Sequence, residues 1–430
     1  MRQILRKSYR SKMSVLFLGI MLTALLQSCI SEEIEYPPPT IELRTGYTTL
    51  LTDESDNAKW NIDNPTIATI SADGLLTAHQ AGKATVYSVN SKGKQKVFCY
   101  LEVFPRRNIL FYIGGDNNLS DASRIGGEPV QKINRIRTGW QQGKGEMIIF
   151  ADNGAGAFLL RINETKGADG MFGLDTLKTY GTKNSASKEV LSQAITDFVS
   201  GYPADSYGMI FFSHASGWLP DGTLSNPRSS LRSLVIDENG TPREMEYYDF
   251  ATAIPDHQFD FIIFEACLMA DVMTMYDLRN KATYVLASSA EIVSPGFEYT
   301  YQDTVMSLYN TKQSVDITLQ EFGQAYFDRV PTVNYNAATL SLIKMSEMDN
   351  LATATKTALQ GISVEEDNLS IKIDGIQTFD RPSALGGRPY SRFFDFGHTV
   401  QNIVSEAQYN ALNTQIGKTV VWKVATESFL

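Results

Sequence analysis

Beyond Phe104-Pro105-Arg106-Arg107, short unbroken apolar runs alternate with stretches whose apolar positions recur every three or four residues. The runs at 109–113, 147–151, 207–213, 259–264 and 284–287 have the length and composition of strands buried on both faces. Between them, 187–200 places Val190, Leu191, Ala194, Ile195 and Phe198 on one helical face, and Gly201-Tyr202-Pro203 stops it. A second helix is predicted over 268–278, starting directly after Cys267. Further helices are expected at 314–328 and 348–359, and strand-like runs at 337–343 and 419–425 extend the sheet. Strand–helix alternation of this kind predicts a mostly parallel sheet covered by helices on both faces, an α/β/α sandwich.

The pattern before residue 105 is different. Trp60 to Ile70 reads as strand, turn, strand; Asp73-Gly74 is a turn; and 82–89 alternates at period two. Short strands every ten or so residues predict a small all-β sandwich over 40–105. This stretch resembles the bacterial Ig-like domains of surface proteins, which implies a spacer more readily than a ligand-binding module.

At the N-terminus, a basic region reaching Lys12 precedes an apolar stretch of 12 residues from Val15 to Leu26. That is too short to span a bilayer and has the layout of a signal peptide. It ends Leu26-Gln27-Ser28-Cys29, which resembles a bacterial lipobox. The resemblance implies cleavage after residue 28, lipidation of Cys29 and a membrane anchor. The acidic Glu32-Glu33 that follows resembles a surface-export signal of Bacteroidetes lipoproteins, so the expected location is the outer membrane, facing outward. Residues 29–39, with Pro37-Pro38-Pro39, form a stiff linker.

Charge narrows the partners. The first 28 residues carry five basic groups and no acid, so their removal takes the net charge from −10 to −15. An acidic chain without a long basic run is not a nucleic-acid binder. Among three cysteines, Cys29 is the lipidation candidate and Cys99 lies in a strand pattern as a core residue. Cys267 is then expected to be a free thiol.

The candidate chemistry lies at two strand ends. Met209-Ile210-Phe211-Phe212-Ser213 ends on His214, and Phe261-Ile262-Ile263-Phe264-Glu265-Ala266 ends on Cys267, 53 residues later. Parallel strands present their carboxyl ends on one sheet edge, where open α/β folds place their sites. A thiol and an imidazole delivered there are the minimum parts of a cysteine nucleophile with its base. The thiolate needs stabilisation, which the N-terminus of a following helix would provide. Backbone N–H groups at Ala215 and Cys267 are candidate oxyanion donors, and Gly217 lets the loop turn sharply. A lone cysteine on an apolar strand is more often core; the paired pattern is what favours catalysis. Asp116 and Asp152, each following a predicted strand, could bind a substrate amine or a cation such as Ca²⁺, although aspartates there are commonly turn formers or caps. The remaining residues His79, His257 and His398 lack metal-ligand spacing, so no metal is assigned and no cofactor is required.

Several stretches together resemble the clostripain family of cysteine peptidases: Tyr112-Ile113-Gly114-Gly115-Asp116-Asn117-Asn118-Leu119, Tyr202-Pro203-Ala204-Asp205, the His214 and Cys267 segments, and 287–299. The resemblance implies a caspase-like α/β/α sandwich over 106–430, a His214–Cys267 dyad, cleavage of peptides after Arg or Lys, and self-processing of a precursor. Two positions depart from the family pattern. Ala215 replaces the usual Gly after the histidine, and a Cβ there would narrow the oxyanion site. Glu265 replaces the usual Asp two residues before the cysteine; it either pairs with a basic substrate side chain or is satisfied by neighbouring backbone. Arg228 and Arg232, in the polar loop between the two catalytic segments, are the candidate self-cleavage points. The chain stops five residues after its last strand pattern, so the peptidase domain is expected to be short at its C-terminus. Two other readings stand beside the peptidase: a catalytically silent surface-binding lipoprotein on the same scaffold, and a glycan-capturing lipoprotein acting through 40–104.

Overall fold

The computed structural model describes residues 37–53, 59–121, 127–154, 156–215, 217, 235–238, 243–332, 337–362, 375–380 and 391–429. The leader, Cys29, Arg228 and Arg232 lie outside the described residues.

Seven strands build the N-terminal unit: β1 (Thr40–Arg44), β2 (Thr48–Leu50), β3 (Lys59–Ile62), β4 (Ala68–Ile70), β5 (Leu75–Ala78), β6 (Gly82–Val89) and β7 (Gln95–Phe104). They form a sheet ordered β1-β7-β6-β3 and a smaller one ordered β2-β5-β4. Their inward residues, including Leu76, Val86 and Leu101, make one apolar core. Cys99 belongs to that core, fully buried and free, as its alternating strand pattern requires.

The second unit is a mixed sheet of nine strands among the described residues. Its centre is parallel: β8 (Arg107–Gly114), β9 (Met147–Asp152), β12 (Ser206–Phe212), β15 (Phe259–Glu265) and β16 (Ala282–Ala287). The order runs β11-β10-β9-β8-β12-β15-β16-β17-β18. Four outer strands are antiparallel: β10 (Ala157–Lys166) and β11 (Phe172–Gly181) on one side, β17 (Thr339–Lys344) and β18 (Val420–Ala425) on the other. The hairpin β10–β11 carries many exposed polar residues and has no apolar run longer than the four residues Ala157–Leu160, which is why the sequence reading missed it.

Each central strand is buried on both faces because consecutive side chains point to opposite layers. Leu110, Tyr112, Met209, Phe211, Ile262 and Phe264 face one core. Ile109, Phe111, Ile113, Ile210, Phe261 and Ile263 face the other. Helices α1 (Gly127–Gly139), α5 (Glu298–Thr304) and α6 (Val315–Phe327) cover the second core, and α2 (Lys188–Gly201), α3 (Tyr247–Ala253), α4 (Val272–Asp277) and α7 (Met348–Ala358) the first. Near the C-terminus, α8 (Phe396–Ile403) and α9 (Glu406–Thr419) add Val400 and Leu412 to the first core. The α/β/α sandwich and the preceding β-sandwich are as expected.

One helix differs in a way that matters. The expected helix over 268–278 is only Val272–Asp277. Leu268 takes a left-handed conformation (φ 61°), its N–H donates to Ala290 C=O (3.1 Å), and the Ala270 N–H donates to Ser288 C=O (2.9 Å). The residues after Cys267 are thus tied to the segment that leaves β16 before any helix begins. No helix among the described residues is long and apolar enough to cross a membrane.

Candidate active site

Strands β12 and β15 pair in parallel with Phe212 opposite Glu265. His214 and Cys267 each lie two residues past that pair, so the register alone brings imidazole and thiol to the same edge of the sheet. Both line a cleft of about 260 Å³. Its other walls are Asn118 and Leu119 from the loop after β8, Glu128 from α1, and Glu291, Ile292, Val293 and Ser294 from the loop after β16. The stretches 112–119 and 287–299 therefore border the dyad, whereas Tyr202-Pro203-Ala204-Asp205 precedes β12 at the opposite end of the sheet.

His214 is held from one side. Its Nε2 lies 2.6 Å from Asn118 Oδ1, and burial lowers its pKa below the usual imidazole value, against an opposing pull from Glu128. The imidazole is accordingly neutral near pH 7, the state that can accept a proton. Asn118 was in plain view in the sequence but carried no assigned role; an amide cannot titrate, and only the fold reveals that it holds the His214 ring.

Cys267 is a half-buried free thiol. Its Sγ faces Ile292 C=O at 3.9 Å. Burial first, and then the carboxylate of Glu291, push its pKa up to about 12. The resting thiol is therefore protonated. The helix that was expected to stabilise a thiolate does not do so: α4 begins five residues later, and Asp271 Oδ1 already accepts from the N–H groups of Met273 (3.0 Å) and Thr274 (2.9 Å). Capped by a carboxylate and displaced by five residues of chain, that terminus offers little to the sulfur.

The two departures from the family pattern resolve differently. Ala215 is fully buried and its methyl packs in the first core, so the methyl does not narrow the cleft. Glu265 requires a correction. The sequence reading gave it to a pocket for a substrate's basic side chain, but its carboxylate is consumed internally. Oε1 accepts from Lys132 Nζ (2.6 Å) and from the Phe297 N–H (2.6 Å), while Oε2 accepts from the Tyr301 hydroxyl (2.6 Å). Lys132, on α1, is completely buried; it also donates to Pro295 C=O (2.8 Å) and lies over the Phe212 ring. Burial raises the Glu265 carboxyl pKa against the lowering effect of Lys132. A buried acid needs a buried cation, and here the chain supplies it. Nothing in the sequence around Lys132, an ordinary residue of a polar helix, signalled this.

A second unforeseen feature comes from the C-terminal part. Leu268 and Phe393 form a small apolar cluster against which Cys267 and Phe379 both pack. The two phenylalanines are fastened to each other by the Phe379 N–H to Phe393 C=O bond (2.9 Å), and Asp380 accepts from the N–H groups of Arg392 (2.9 Å) and Phe393 (3.2 Å). Gly217 has φ 60°, and a Cβ there would meet Leu268 C=O and the Phe393 ring, both at 2.6 Å. The glycine therefore allows the close approach of three segments, beyond the sharp turn expected of it. His79 and His257 lie away from the cleft, and His398 sits in the first turn of α8, whose cap is Asp395. A group of three aspartates, Asp116, Asp152 and Asp237, gathers beside the cleft without lining it.

The profile of the clostripain family matches residues 111–428, and that of the bacterial Ig-like domain (group 2) matches residues 44–100. Among solved structures, an inactive zymogen C11 protease from Parabacteroides distasonis is 28% identical with a TM-score of 0.62, covering 75% of this chain and 84% of its own. A secreted C11 cysteine protease from Bacteroides thetaiotaomicron, in complex with an irreversible peptide inhibitor, is 27% identical with a TM-score of 0.60, covering 75% and 86%. A further secreted C11 cysteine protease of B. thetaiotaomicron, 20% identical with a TM-score of 0.59, shares the fold. No functionally curated protein matches the chain.

Proposed function

The chain belongs to the clostripain family of cysteine peptidases, and from that footing we propose that His214 and Cys267 are its catalytic dyad and that it cleaves peptides after Arg or Lys. The observation that carries the dyad is the β12–β15 register, which delivers both side chains into one cleft. In the proposed cycle, neutral His214 takes the thiol proton as Sγ attacks the scissile carbonyl. The proton passes to the leaving amine as the C–N bond breaks, and water then hydrolyses the thioester. Backbone N–H groups at Ala215 and Cys267 are the proposed oxyanion donors.

Basic specificity needs a new carrier, because Glu265 already holds Lys132. Glu291 and Glu128 are the acids among the cleft walls that remain for it. Glu291 is also the charge that helps keep the thiol protonated. A cationic substrate side chain beside Glu291 would neutralise that charge and make the thiol easier to ionise. Substrate selection and nucleophile activation would then share one residue.

The protonated resting thiol and the Leu268–Phe393 cluster beside Cys267 suit a precursor that needs processing. Self-cleavage at Arg228 or Arg232 remains part of the proposal, as do the signal peptide, lipidation of Cys29 and display at the outer-membrane surface; these rest on the sequence pattern alone.

The test is hydrolysis of fluorogenic peptides ending in Arg, Lys, Asp or Ala by the wild-type chain, Cys267→Ala and Glu291→Gln. The expected result is Cys267-dependent cleavage after Arg or Lys, with Glu291→Gln losing at least about tenfold in kcat/KM on basic peptides only. Cleavage after a neutral residue, or equal loss on all peptides, removes Glu291 from the specificity role. Activity surviving in Cys267→Ala removes the dyad.

A further inference from the structure

Thr339 opens β17 and is buried, on a strand that contributes no residue to the walls of the peptide cleft. Its hydroxyl nevertheless gathers a whole turn of the neighbouring chain. Oγ1 accepts from the N–H groups of Ser289 (3.0 Å) and Ala290 (3.2 Å) and lies 2.9 Å from Ser288 Oγ. Two accepted bonds occupy both lone pairs, so the Thr339 O–H is the donor to Ser288. Ser288 Oγ in turn accepts from the Ala290 N–H (3.1 Å). Ser288 and Ala290 are completely buried, where an N–H that loses its acceptor is costly.

The turn fixed in this way, directly after β16, reaches the nucleophile by two routes. Ala290 C=O accepts from the Leu268 N–H (3.1 Å), and Ser288 C=O accepts from the Ala270 N–H (2.9 Å). Leu268 follows Cys267 with φ 61°, a conformation that costs a leucine about 1–3 kcal/mol and persists only where the surroundings impose it. The second route runs along the chain. Glu291 and Ile292 come next after the turn; Ile292 C=O lies 3.9 Å from Cys267 Sγ, and the Glu291 carboxylate acts on the same thiol.

We propose that Thr339 is a positioning residue for Cys267: its hydroxyl sets the 288–290 turn, whose carbonyls fix the backbone after the nucleophile and whose continuation carries Glu291 and Ile292 to the sulfur. This rests on Cys267 being the nucleophile. Loss of the hydroxyl takes the acceptor from the Ser289 N–H and one of two acceptors from the Ala290 N–H. The turn then shifts to satisfy them, and its carbonyls shift with it. Misplacing a reacting atom by about 1 Å costs on the order of 10²-fold in rate. A sulfur less closely enclosed also ionises more readily, since burial is the main cause of its protonation.

The experiment compares Thr339→Val, which keeps the shape and removes the hydroxyl, with Thr339→Ser, which keeps the hydroxyl. Each is measured for peptide hydrolysis, for iodoacetamide alkylation of Cys267 at pH 8, and for urea unfolding. Thr318→Val deletes a buried hydroxyl on α6, outside the cleft, and serves as the control for lost stability alone. Thr339→Val should lower kcat at least about tenfold and speed alkylation at least about threefold, whereas Thr339→Ser stays within about twofold on both. Thr318→Val should lose stability yet stay within about twofold in kcat. Ser288→Ala leaves the Ala290 N–H one acceptor; it should lower kcat about threefold and carries the test if Thr339→Val does not fold. Alkylation is read without turnover, so a lost dyad and a lost role for Thr339 give different results. Wild-type kcat and alkylation in folded Thr339→Val, or in Ser288→Ala in its place, overturn the proposal. So does a Thr339→Ser protein as impaired as Thr339→Val, or a Thr318→Val protein that loses as much activity.

Discussion

Replacing Lys132 by methionine separates the two roles open to Glu265. Methionine keeps the volume and apolar stem of lysine but removes three bonds' worth of charge: the 2.6 Å contact to Glu265, the 2.8 Å bond to Pro295 C=O and the 3.5 Å approach to Glu128. Glu265 would be left buried with only the Phe297 N–H and the Tyr301 hydroxyl. Breaking a buried pair from one side costs about 3–5 kcal/mol, because the remaining charge is uncompensated. In a domain of this size that lowers the unfolding midpoint on the order of 10 °C. The companion variant Lys132→Met/Glu265→Gln removes both charges; the amide oxygen still accepts from the Phe297 N–H and the amide NH2 can donate to the Tyr301 oxygen, so it should recover at least about 2 kcal/mol of the loss. The assay is equilibrium urea unfolding in the Cys267→Ala background, with all four members of the cycle. If Lys132→Met costs less than about 1 kcal/mol and shows no coupling to Glu265, the internal ion pair is not what Glu265 is for. Selective loss of cleavage after Arg or Lys in Glu265→Gln would then return it to the substrate pocket.

Removal of the Asn118 amide in Asn118→Ala should lower kcat about 10²-fold with little change in KM, since it misorients the base and leaves peptide binding intact; steady-state kinetics at several pH values checks this. Alkylation of Cys267 by iodoacetamide in the resting protein should accelerate about tenfold per pH unit from 7 to 10, because the thiol titrates only near 12. A plateau below pH 8 would mean that the thiolate is already formed. The same raised thiol favours the folded state fully below the unfolded thiol value of about 8.5, and that contribution is lost as pH climbs towards 12. Gly217→Ala should destabilise the protein by about 1–3 kcal/mol and impair activity together, because the new methyl collides with Leu268 and Phe393 next to the nucleophile; unfolding and peptide hydrolysis measured on one sample test the coupling.

The parts of this protein that were legible in its sequence are those that depend on local pattern. Five parallel strands announce themselves because burial on both faces demands unbroken apolar runs, and His214 and Cys267 stand out because each ends such a run. The boundary at Phe104-Pro105 is visible because the hydrophobic period changes there. Helix 268–278 was over-extended for the same reason: its side-chain pattern is helical, but the backbone of 268–270 bonds instead to Ser288 and Ala290, distant in sequence.

What the tertiary structure decided is how charges are shared between elements. Sequence spacing says that Glu265 lies near the nucleophile. It does not say that Lys132, 133 residues away, arrives from α1 to neutralise it, nor that Asn118 orients His214, nor that Glu291 faces the thiol. Asp116 and Asp152 were visible as strand ends, but not that Asp237 joins them. The physical reason is common to all of these. Apolar burial acts through pattern and is written along the chain, whereas the balance of a buried charge depends on a few atoms at hydrogen-bond distance. Which atoms those are is fixed only when the sheet, its covering helices and its edge loops have closed around them.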